Sequence, residues 1–304
     1  MDRSREKVLI SGGAGFLGSY VVSELLGNYD VFVLERTGCN LARIKNHLER
    51  IGLFYSDEAG SGNFIKENQF DYIINCSVLY GPEEKLSTLI SNNVVMPLLL
   101  IESAGSSIKA FINTDTFFNR PENRHYSYLR NYTLTKKHLE ESLKCLPGNL
   151  KIINLKLEHI YGPMDNANKF IPSMLRKLHN NITEIALTPG DQLRDFIYVK
   201  DAAKAYSVIL KNTGKLPGGY NEFSVGTGKS TSIKDLTLTM KSLLKSYTEL
   251  KFGSIPYREN EIMHSTGNPG PLRKLGWNAE YSLLKGLRET IEFERSGFLK
   301  DSST

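Results

Sequence analysis

Residues 11–19 read SGGAGFLGS and follow the apolar run KVLI at residues 7–10, close to the start of the chain. Gly12, Gly15 and Gly18 stand where a predicted strand ends and a predicted helix begins. Glycines at this spacing let the backbone approach a pyrophosphate closely, direct amide N–H groups at it and allow the helix to lie tightly on the strand. Because glycine also marks ordinary turns, the rest of the sequence has to support this interpretation.

Apolar segments with strand character alternate with helical segments after this turn. Strands are predicted at residues 8–10, 31–34, 72–75 and 110–112, and helices at residues 20–26, 87–104 and 131–141. Ser87 is the predicted N-cap of the second helix. The β-α-β alternation predicts an α/β fold, a Rossmann-type doubly wound parallel sheet covered on both faces. Ligands of such sheets bind beyond the carboxyl ends of the strands.

The composition argues against several classes of protein. The net charge of +5 is spread along the 304 residues rather than gathered in runs, so we expect no nucleic-acid or membrane partner. Cys39, Cys76 and Cys145 show neither paired spacing nor a Cys/His metal pattern, which indicates a reducing, cytoplasmic compartment and no metal. The longest apolar candidate, residues 94–101, is shorter than the ~18 residues of a membrane helix and is interpreted as a buried helix.

The predicted second strand ends in Glu35 and Arg36, close behind the glycine turn. A carboxylate near this position usually binds the adenosine ribose hydroxyls of NAD, whereas an arginine accepts the 2′-phosphate of NADP. The sequence offers both groups, and a solvated pair at a strand end is a further alternative. Asp57, after the third strand, is a candidate contact to the adenine.

A polar cluster, NTDT at residues 113–116, follows the strand at residues 110–112. Further on, Tyr132 and Lys136 are four residues apart and therefore lie on one face of the predicted helix. A phenol has a pKa of about 10 and needs a neighbouring cation to act as an acid or base near neutrality, and Lys136 supplies that charge. With 15 tyrosines in the chain, a Tyr-x-x-x-Lys spacing can arise by chance. The pair is informative because it follows the glycine turn and the polar cluster.

Together, these features resemble the extended short-chain dehydrogenase/reductases that act on nucleotide sugars. Later landmarks of that family have similar counterparts here, namely YGP at residues 161–163, GDQLRDFIYVKD at 190–201, NEFSVGTG at 221–228 and LGW at 275–277. Further stretches are similar to the group within the family that reduces the 4-keto group of CDP-linked 3,6-dideoxyhexoses for O-antigen synthesis. They are FINTDTFF at residues 111–118, LEH at 157–159, NKFIP at 168–172 and NEIM at 260–263.

The resemblance implies catalytic roles for three residues. Thr114 would hydrogen-bond the sugar carbonyl, Tyr132 would protonate it, and Lys136 would anchor the nicotinamide ribose while acidifying the tyrosine. Thr116 is the reserve for Thr114, because the sequence does not fix the register at the strand end. The family's 4,6-dehydratases carry Thr-Asp-Glu here, so Thr116 in place of the glutamate disfavours dehydration, although Asp115 remains.

The binding residues are expected from the same motifs. The cofactor is expected to be bound by Gly12, Gly15, Phe16, Leu17, Gly18, Glu35, Arg36, Asp57, Cys76, Asn93, Tyr132 and Lys136. The substrate is expected to be bound by Thr116, His159, Lys169, Arg194 and Arg258. The two arginines would bind its pyrophosphate, because planar guanidinium groups suit phosphate oxygens. His159 is alternatively a core histidine, and Lys169 is alternatively a solvated surface residue.

The resemblance thus implies an NAD(P)H-dependent reductase of the C4 ketone of a nucleotide-linked, CDP-linked by preference, 4-keto-6-deoxy or 3,6-dideoxyhexose. Residues 1–162 would form the dinucleotide-binding Rossmann domain and residues 163–304 mostly a smaller, C-terminal substrate-binding lobe, with some segments returning to the first domain. Reductive biosynthesis and the family likeness favour NADPH over NADH, and relatives often form homodimers. The alternatives are a nucleotide-sugar 4-epimerase or 4,6-dehydratase with tightly bound NAD, and a non-catalytic dinucleotide-binding protein.

Overall fold

The chain forms two compact units, each assembled from three segments of the sequence. The computed structural model describes residues 5–57, 61–81, 83–123 and 125–301. Unit 1 consists of Met1–Leu157, Ala203–Ser224 and Gly270–Trp277. Unit 2 consists of Glu158–Ala202, Val225–Pro269 and Asn278–Thr304.

Strands and helices alternate along the chain, as the sequence pattern predicts. The strands are β1 (Lys7–Ser11), β2 (Asp30–Glu35), β3 (Gly52–Tyr55), β4 (Tyr72–Asn75), β5 (Ala110–Thr116), β6 (Lys151–Leu157), β7 (His159–Tyr161), β8 (Glu184–Leu187), β9 (Leu193–Arg194), β10 (Phe196–Tyr198), β11 (Gly219–Val225), β12 (Thr231–Ser232) and β13 (Glu249–Phe252). The helices are α1 (Phe16–Leu25), α2 (Ser61–Asn68), α3 (Leu86–Ile90), α4 (Met96–Ala104), α5 (Arg130–Lys144), α6 (Phe170–His179), α7 (Val199–Asn212), α8 (Ile233–Leu244), α9 (Gly270–Lys274) and α10 (Leu283–Asp301).

Seven strands form the sheet of unit 1, in the order β11-β6-β5-β4-β1-β2-β3. The pairings from β6 across to β3 are parallel. Parallel strands of this kind are buried on both faces. All four residues of β4 are accordingly buried, and only its last residue, Asn75, is an amide. The strand order reverses between β1 and β4. This confirms the predicted Rossmann-type sheet and marks the carboxyl ends of β1 and β4 as the position for a ligand.

A π-helical turn, Ser91–Val95, joins α3 and α4 into one helix from Leu86 to Ala104. With 19 residues and a mean hydropathy of 1.3, it is the one helix of the described chain that is long and apolar enough to cross a membrane. This helix is longer than the predicted apolar run at residues 94–101, because it also contains polar residues such as Ser91. One face of this helix lies in the core of unit 1, where Leu100 and Ile101 are buried, so it is a core helix of the sheet.

Several element boundaries differ from the expectation, and two of them lie near the polar cluster and the helix with the π-helical turn. β5 runs to Thr116 instead of ending at Ile112, because β6 continues beside it and pairs with it as far as Leu157. The polar cluster at residues 113–116 therefore belongs to the sheet. The prediction of Ser87 as an N-cap is wrong, since the helix begins at Leu86 with Lys85 at the N-cap position.

Unit 2 contains three small sheets in its described part. β7 pairs with β10 and β8 with β13 in parallel, and β9 pairs with β12 in antiparallel orientation. Apolar residues of α6, α8 and α10, among them Leu175, Met240 and Leu287, form its core. Asp195 ties its loops together, because the buried carboxylate accepts bonds of 2.6–3.1 Å from the N–H groups of residues 227, 228 and 267 and from a threonine hydroxyl. Saturation with donors is what makes a buried carboxylate tolerable.

Candidate active site

The turn between β1 and α1 requires glycine at two of its three positions. Gly12 has a φ of +74°, and a Cβ there would lie 2.6 Å from the backbone nitrogen of Ser77. A Cβ on Gly18 would overlap the carbonyl oxygen of Gly12. Gly15 is exposed, and a Cβ there would approach only that same oxygen, at 3.1 Å. The backbone just after β4 and the start of α1 therefore approach the turn too closely for a side chain.

The N-terminus of α1 is suited to an anion. The helix starts at Phe16 with Gly15 as its N-cap, and Leu17 and Gly18 complete its first turn. In the described structure this turn carries no acidic residue and the N-cap makes no side-chain hydrogen bond. N–H groups of a first turn lack intrahelical acceptors and carry partial positive charge. The residues present thus fit the pyrophosphate of a dinucleotide.

Two carboxylates lie at the end of the sheet where the adenosine half of a dinucleotide is expected. Glu35 ends β2 and accepts a hydrogen bond of 2.6 Å from the N–H of Ala14 in the glycine turn. Burial raises the pKa of Glu35, and the Ala14 N–H and the guanidinium of Arg36 oppose this rise. Asp57 accepts bonds of 2.9 and 3.0 Å from the N–H and hydroxyl of Thr37, which lower its pKa. Arg36 and Asp57 are exposed.

Cys76 and Asn93 lie near the carboxyl end of β4. The N–H of Cys76 donates to the carbonyl of Ser11 at 2.9 Å, and burial raises the pKa of its thiol to about 11. Asn93, in the π-helical turn, exchanges two bonds of 2.8 Å with the backbone of Leu79 and donates to the hydroxyl of Thr135 at 3.1 Å. The amide of Asn93 therefore holds the loop after β4 against α5.

Thr114 has a partner that the sequence did not reveal. Its hydroxyl oxygen lies 2.7 Å from the phenol oxygen of Tyr206, which is fully buried on α7, and 3.6 Å from the sulfur of Cys76. Burial raises the pKa of Tyr206, so its phenol stays protonated and can donate to Thr114. The hydroxyl proton of Thr114 is then directed at the thiol, a weak acceptor that a carbonyl oxygen would replace.

Tyr132 and Lys136 extend from α5 toward β5. The ammonium of Lys136 donates to the carbonyl oxygen of Thr114 at 2.7 Å and lies 6.0 Å from the ring centroid of Tyr132. Burial raises the pKa of Tyr132, the carboxylate of Asp115 adds to this rise, and a hydrogen bond with the Thr116 side chain opposes it. Burial lowers the pKa of Lys136, and Asp115 opposes that change.

Tyr132 is therefore a protonated phenol at neutral pH. This differs from the acidification by Lys136 inferred from the sequence, because the ammonium is directed at the Thr114 carbonyl and burial dominates the environment of the phenol. A protonated phenol is a donor, which suits protonation of a carbonyl oxygen as it becomes negative.

A row of buried polar side chains was also missed by the sequence analysis. Ser11, Asn75, Asn113 and Asn154 lie at corresponding positions of β1, β4, β5 and β6, and the row ends on Asp115. The available signal was the polar residue that follows the apolar residues of each strand, at the end of β1 and β4 and in the middle of β5 and β6. Its meaning depends on the strand order, which the sequence does not give directly.

The arginines expected at the substrate are connected through Glu261 in unit 2. The guanidinium of Arg194 is buried and forms a salt bridge of 2.8 Å with Glu261, and it also donates to the carbonyl of Leu193 at 2.9 Å. The N–H of Glu261 bonds to the carbonyl of Arg258 at 3.2 Å, and Arg258 is exposed. Arg194 is thus paired with a buried acidic partner, and Arg258 is exposed.

His159 pairs with Phe196 on β10, two residues beyond Arg194, whereas Lys169 stands at the start of α6. The N–H of His159 donates to the carbonyl of Asp195 at 3.0 Å, and its ring lies 5.7 Å from that of Phe196. Lys169 is the N-cap residue of α6 and forms an ion pair of 3.0 Å with Asp165. The structure therefore connects His159 to Arg194 through the neighbouring Asp195, and Arg194 to Arg258 through Glu261. Lys169 has a local acidic partner.

In unit 1, the structure brings a proton donor, hydroxyl groups and an ammonium to one sheet edge beside an anion-binding helix start. The residues brought together are Thr114, Thr116, Tyr132, Lys136 and Cys76. Over the described residues, no group of three His, Cys, Asp or Glu side chains that could hold a metal ion is found. The arrangement is suited to proton transfer next to a dinucleotide.

Comparison with known proteins identifies relatives over the length of the chain. The sequence model of the NAD dependent epimerase/dehydratase family matches residues 8–226. The chain is 33% identical over 300 residues to CDP-abequose synthase of Salmonella typhimurium, a match that covers 95% of this chain and 98% of that enzyme.

Two solved structures show the same fold. The UDP-glucose 4-epimerase of Thermotoga maritima, solved with UDP-glucose, has a TM-score of 0.80 at 20% identity, covering 96% of this chain and 99% of that chain. The Bordetella bronchiseptica enzyme WbmF, solved with NADH, has a TM-score of 0.81 at 21% identity, covering 99% and 95%.

The glycine turn gives a first prediction. We expect Gly18→Ala to lower the free energy of unfolding by about 1–3 kcal/mol, because its Cβ overlaps the Gly12 carbonyl, and to weaken NADH binding roughly tenfold or more. Thermal unfolding and fluorescence titration with NADH measure the two effects. The matched control is Gly27→Ala, just beyond α1, where a Cβ meets nothing within 4 Å. Wild-type NADH affinity in Gly18→Ala would contradict the assignment of the turn.

Proposed function

The chain belongs to the NAD-dependent epimerase/dehydratase family, and on this premise we propose that it is a cytoplasmic reductase of the C4 ketone of a nucleotide-linked sugar. It is a nucleotide-sugar-modifying enzyme of deoxysugar biosynthesis that uses a nicotinamide dinucleotide. The proposed substrate is a 4-keto-6-deoxy or 3,6-dideoxyhexose carried on CDP. The observation that carries the proposal is the placement of Tyr132, whose pKa is raised by burial, beside Lys136, Thr114 and Thr116 in a chain one-third identical to a CDP-abequose synthase.

The proposed chemistry divides between the cofactor and the side chains of unit 1. When bound, the reduced cofactor supplies the hydride that goes to C4. Tyr132 donates its proton to the oxygen of the former ketone, and the resulting phenolate is reprotonated from solvent. Thr114, which accepts from Tyr206, turns its own proton from the thiol of Cys76 to the substrate oxygen. Thr116 orients the phenol, and Lys136 stabilises the negative charge that develops on it.

The cofactor is proposed to be NADH rather than NADPH. The sequence-based preference for NADPH rested on reductive biosynthesis and the family likeness, with Arg36 as the available cation. The carboxylate of Glu35 is fixed by the Ala14 N–H, and a carboxylate at this position repels a 2′-phosphate and accepts from ribose hydroxyls. Asp57 adds a second negative charge near the same loop.

The nucleotide sugar is proposed to bind to residues of unit 2, while residues of unit 1 bind the dinucleotide. Arg258 is the cation proposed to bind the pyrophosphate, since it is exposed. Arg194 supports the segment at residues 258–261 through its salt bridge with Glu261. His159 is proposed as a substrate contact, and Lys169 as a residue that exchanges Asp165 for a phosphate.

We also infer that the enzyme forms a homodimer through the helix from Leu86 to Ala104 and α5. The argument is the apolar surface of this helix, on which Val95 and Leu99 are 44% and 49% exposed. Two large apolar side chains one turn apart form a stripe that a second copy would cover.

The reductase proposal predicts consumption of reduced cofactor in step with product. Purified enzyme is mixed with NADH or NADPH and CDP-, dTDP-, UDP- or GDP-linked 4-keto sugars, and absorbance of the reduced cofactor is followed. We expect turnover with the CDP-linked substrate and a higher kcat/KM for NADH. No consumption with any of these sugars would reject the proposal. Turnover without added cofactor, by protein that purifies with NAD attached, would favour the epimerase or dehydratase alternative.

The assignment of the proton donor gives a third prediction. Tyr132→Phe removes the phenolic proton but keeps the ring that lies 5.6 Å from Tyr80. We expect kcat to fall about 10²–10⁴-fold, the usual contribution of general acid catalysis, while the Kd for NADH changes little. The matched control is Tyr128→Phe, an exposed tyrosine before α5. Full activity of Tyr132→Phe would contradict the mechanism. No turnover by either wild type or variant would instead favour the non-catalytic alternative.

The dimer gives a fourth prediction. Leu99→Arg places a charge in the proposed helix seam and should produce a monomer, because an unpaired charge in an apolar interface is costly. Light scattering measures the mass of wild type and variant. Leu238→Arg on α8, where Leu238 is 45% exposed, is the matched control and should leave the dimer intact. A wild-type chain that is monomeric at micromolar concentration would reject the dimer.

A further inference from the structure

Five buried polar side chains form a continuous row across four neighbouring strands of unit 1. Ser11, Asn75, Asn113 and Asn154 are partners in the register of β1, β4, β5 and β6. Asp115 is two residues beyond Asn113 and therefore lies on the same face of β5. None of the five side chains is more than 2% exposed. Amides carry a desolvation cost that apolar side chains at these positions would avoid, so packing alone does not account for the row.

All hydrogen bonds of the row run in one direction. The Ser11 hydroxyl donates to Asn75, the amide of Asn75 to Asn113, that of Asn113 to Asn154, and that of Asn154 to Asp115, at 2.7–3.0 Å. Each amide accepts through its oxygen and donates through its nitrogen, so turning one over breaks the bonds on both sides. The row therefore has to end on a group that accepts.

Asp115 is that group, and it accepts hydrogen bonds from three donors. Its two oxygens accept from the Thr116 N–H at 2.8 Å, from the Asn154 amide at 2.8 Å and from the Asn119 amide at 3.1 Å. Bonds from N–H donors favour the ionised form of a carboxylate. Burial acts in the opposite sense and raises the pKa of Asp115, and the ammonium of Lys136 is the strongest influence that opposes this rise.

The titratable groups that face Asp115 come from several elements. They are Tyr132 and Lys136 on α5, Lys156 on β6 and Tyr220 on β11, and Asn119 also links Asp115 to Glu140 through a bond of 2.6 Å. Lys156 forms ion pairs with Glu140, at 3.1 Å, and with Glu222, at 2.9 Å. These pairs balance the charges around Lys156.

Lys136 depends on Asp115 for its counter-charge. The Lys136 residue is 3% exposed, and its ammonium donates to the carbonyl of the peptide group that joins Thr114 to Asp115. The charges that favour the ammonium come from Asp115 and Cys76. Because burial raises the pKa of the Cys76 thiol to about 11, that thiol is neutral at pH 7. Asp115 is then the group that supplies the negative charge.

We propose that Asp115 is a positioning residue: the polar row holds it as an anion, and this anion keeps Lys136 charged and Tyr132 protonated without itself exchanging a proton with the substrate. The inference rests on the proposed function, because it takes Tyr132 as the proton donor. A second negative charge on Tyr132 is disfavoured beside Asp115, so the phenol keeps its proton until hydride transfer makes the sugar oxygen basic. A general acid that protonates a leaving group must itself carry a proton before the reaction. The carboxylate of Asp115, surrounded by hydrogen-bond donors, does not carry one.

The pH dependence of turnover tests the role of the anion. Asp115→Asn removes the charge and keeps the size of the side chain. The pKa values of Tyr132 and Lys136 should both fall, because Asp115 raises both. Activity requires a protonated Tyr132, so the basic limb of kcat/KM should move to lower pH, by on the order of 1 pH unit. The matched control is Glu141→Gln, which removes an exposed carboxylate from the same helix and should leave the limb in place. An unchanged limb in an active, folded Asp115→Asn variant would overturn the proposal.

A second measurement needs no turnover. Carbon-13 NMR of aspartate-labelled protein reports the ionisation of each carboxyl group, and the signal missing from Asp115→Asn identifies Asp115. In wild type we expect an ionised Asp115 at pH 7. Asn154→Leu removes one donor, so the Asp115 carboxyl should titrate at higher pH in that variant. A protonated Asp115 in wild type at pH 7 would overturn the proposal. If no 4-keto sugar nucleotide is reduced, the proposed function fails, and this titration still decides whether the row holds an anion.

Discussion

The geometry of unit 1 depends on one constraint: polar groups buried at the carboxyl edge of the sheet must meet their partners in the neighbouring strand. Side chains of a strand alternate between faces, so a slip of one residue between β4 and β5 would separate Asn75 from Asn113. The hydrogen bonds thereby favour one register. That register sets where β1 turns at Gly12, where the segment after β4 passes beside it at Ser77, and where β5 presents Thr114 to α5.

Local pattern was sufficient to predict the fold class and the helix that carries Tyr132 and Lys136, because strand alternation and a four-residue spacing are properties of short segments. The end of β5 could not be predicted, since its length depends on pairing with β6 as far as Leu157. The partner of Thr114 could not be predicted either. Tyr206 is 92 residues away from Thr114, on α7. Only the folded chain brings the hydroxyl oxygen of Thr114 and the phenol oxygen of Tyr206 to 2.7 Å.

The direction of the pKa change at Tyr132 illustrates a further limit. The sequence places a lysine one helical turn away, and proximity alone suggests a more acidic phenol. In the structure, burial and Asp115 outweigh this effect, and the ammonium is engaged elsewhere. In unit 2, Arg194 was recognised from its motif, but its salt bridge with Glu261 depends on a segment 67 residues further along the chain. The sequence identified Tyr132 and Arg194 as candidate site residues. It did not predict the charged groups that surround them in the folded chain.

The polar row also restricts how this protein can evolve. Each internal amide serves two neighbours, so replacing one of them leaves a donor unsatisfied on one side and an acceptor on the other. Such effects do not add independently, because a second replacement next to the first removes a group that is already unsatisfied. The tolerated routes are therefore concerted ones, in which adjacent strands exchange their amides for apolar residues together. The row behaves as one inherited character spread over four strands, rather than as five positions that drift separately.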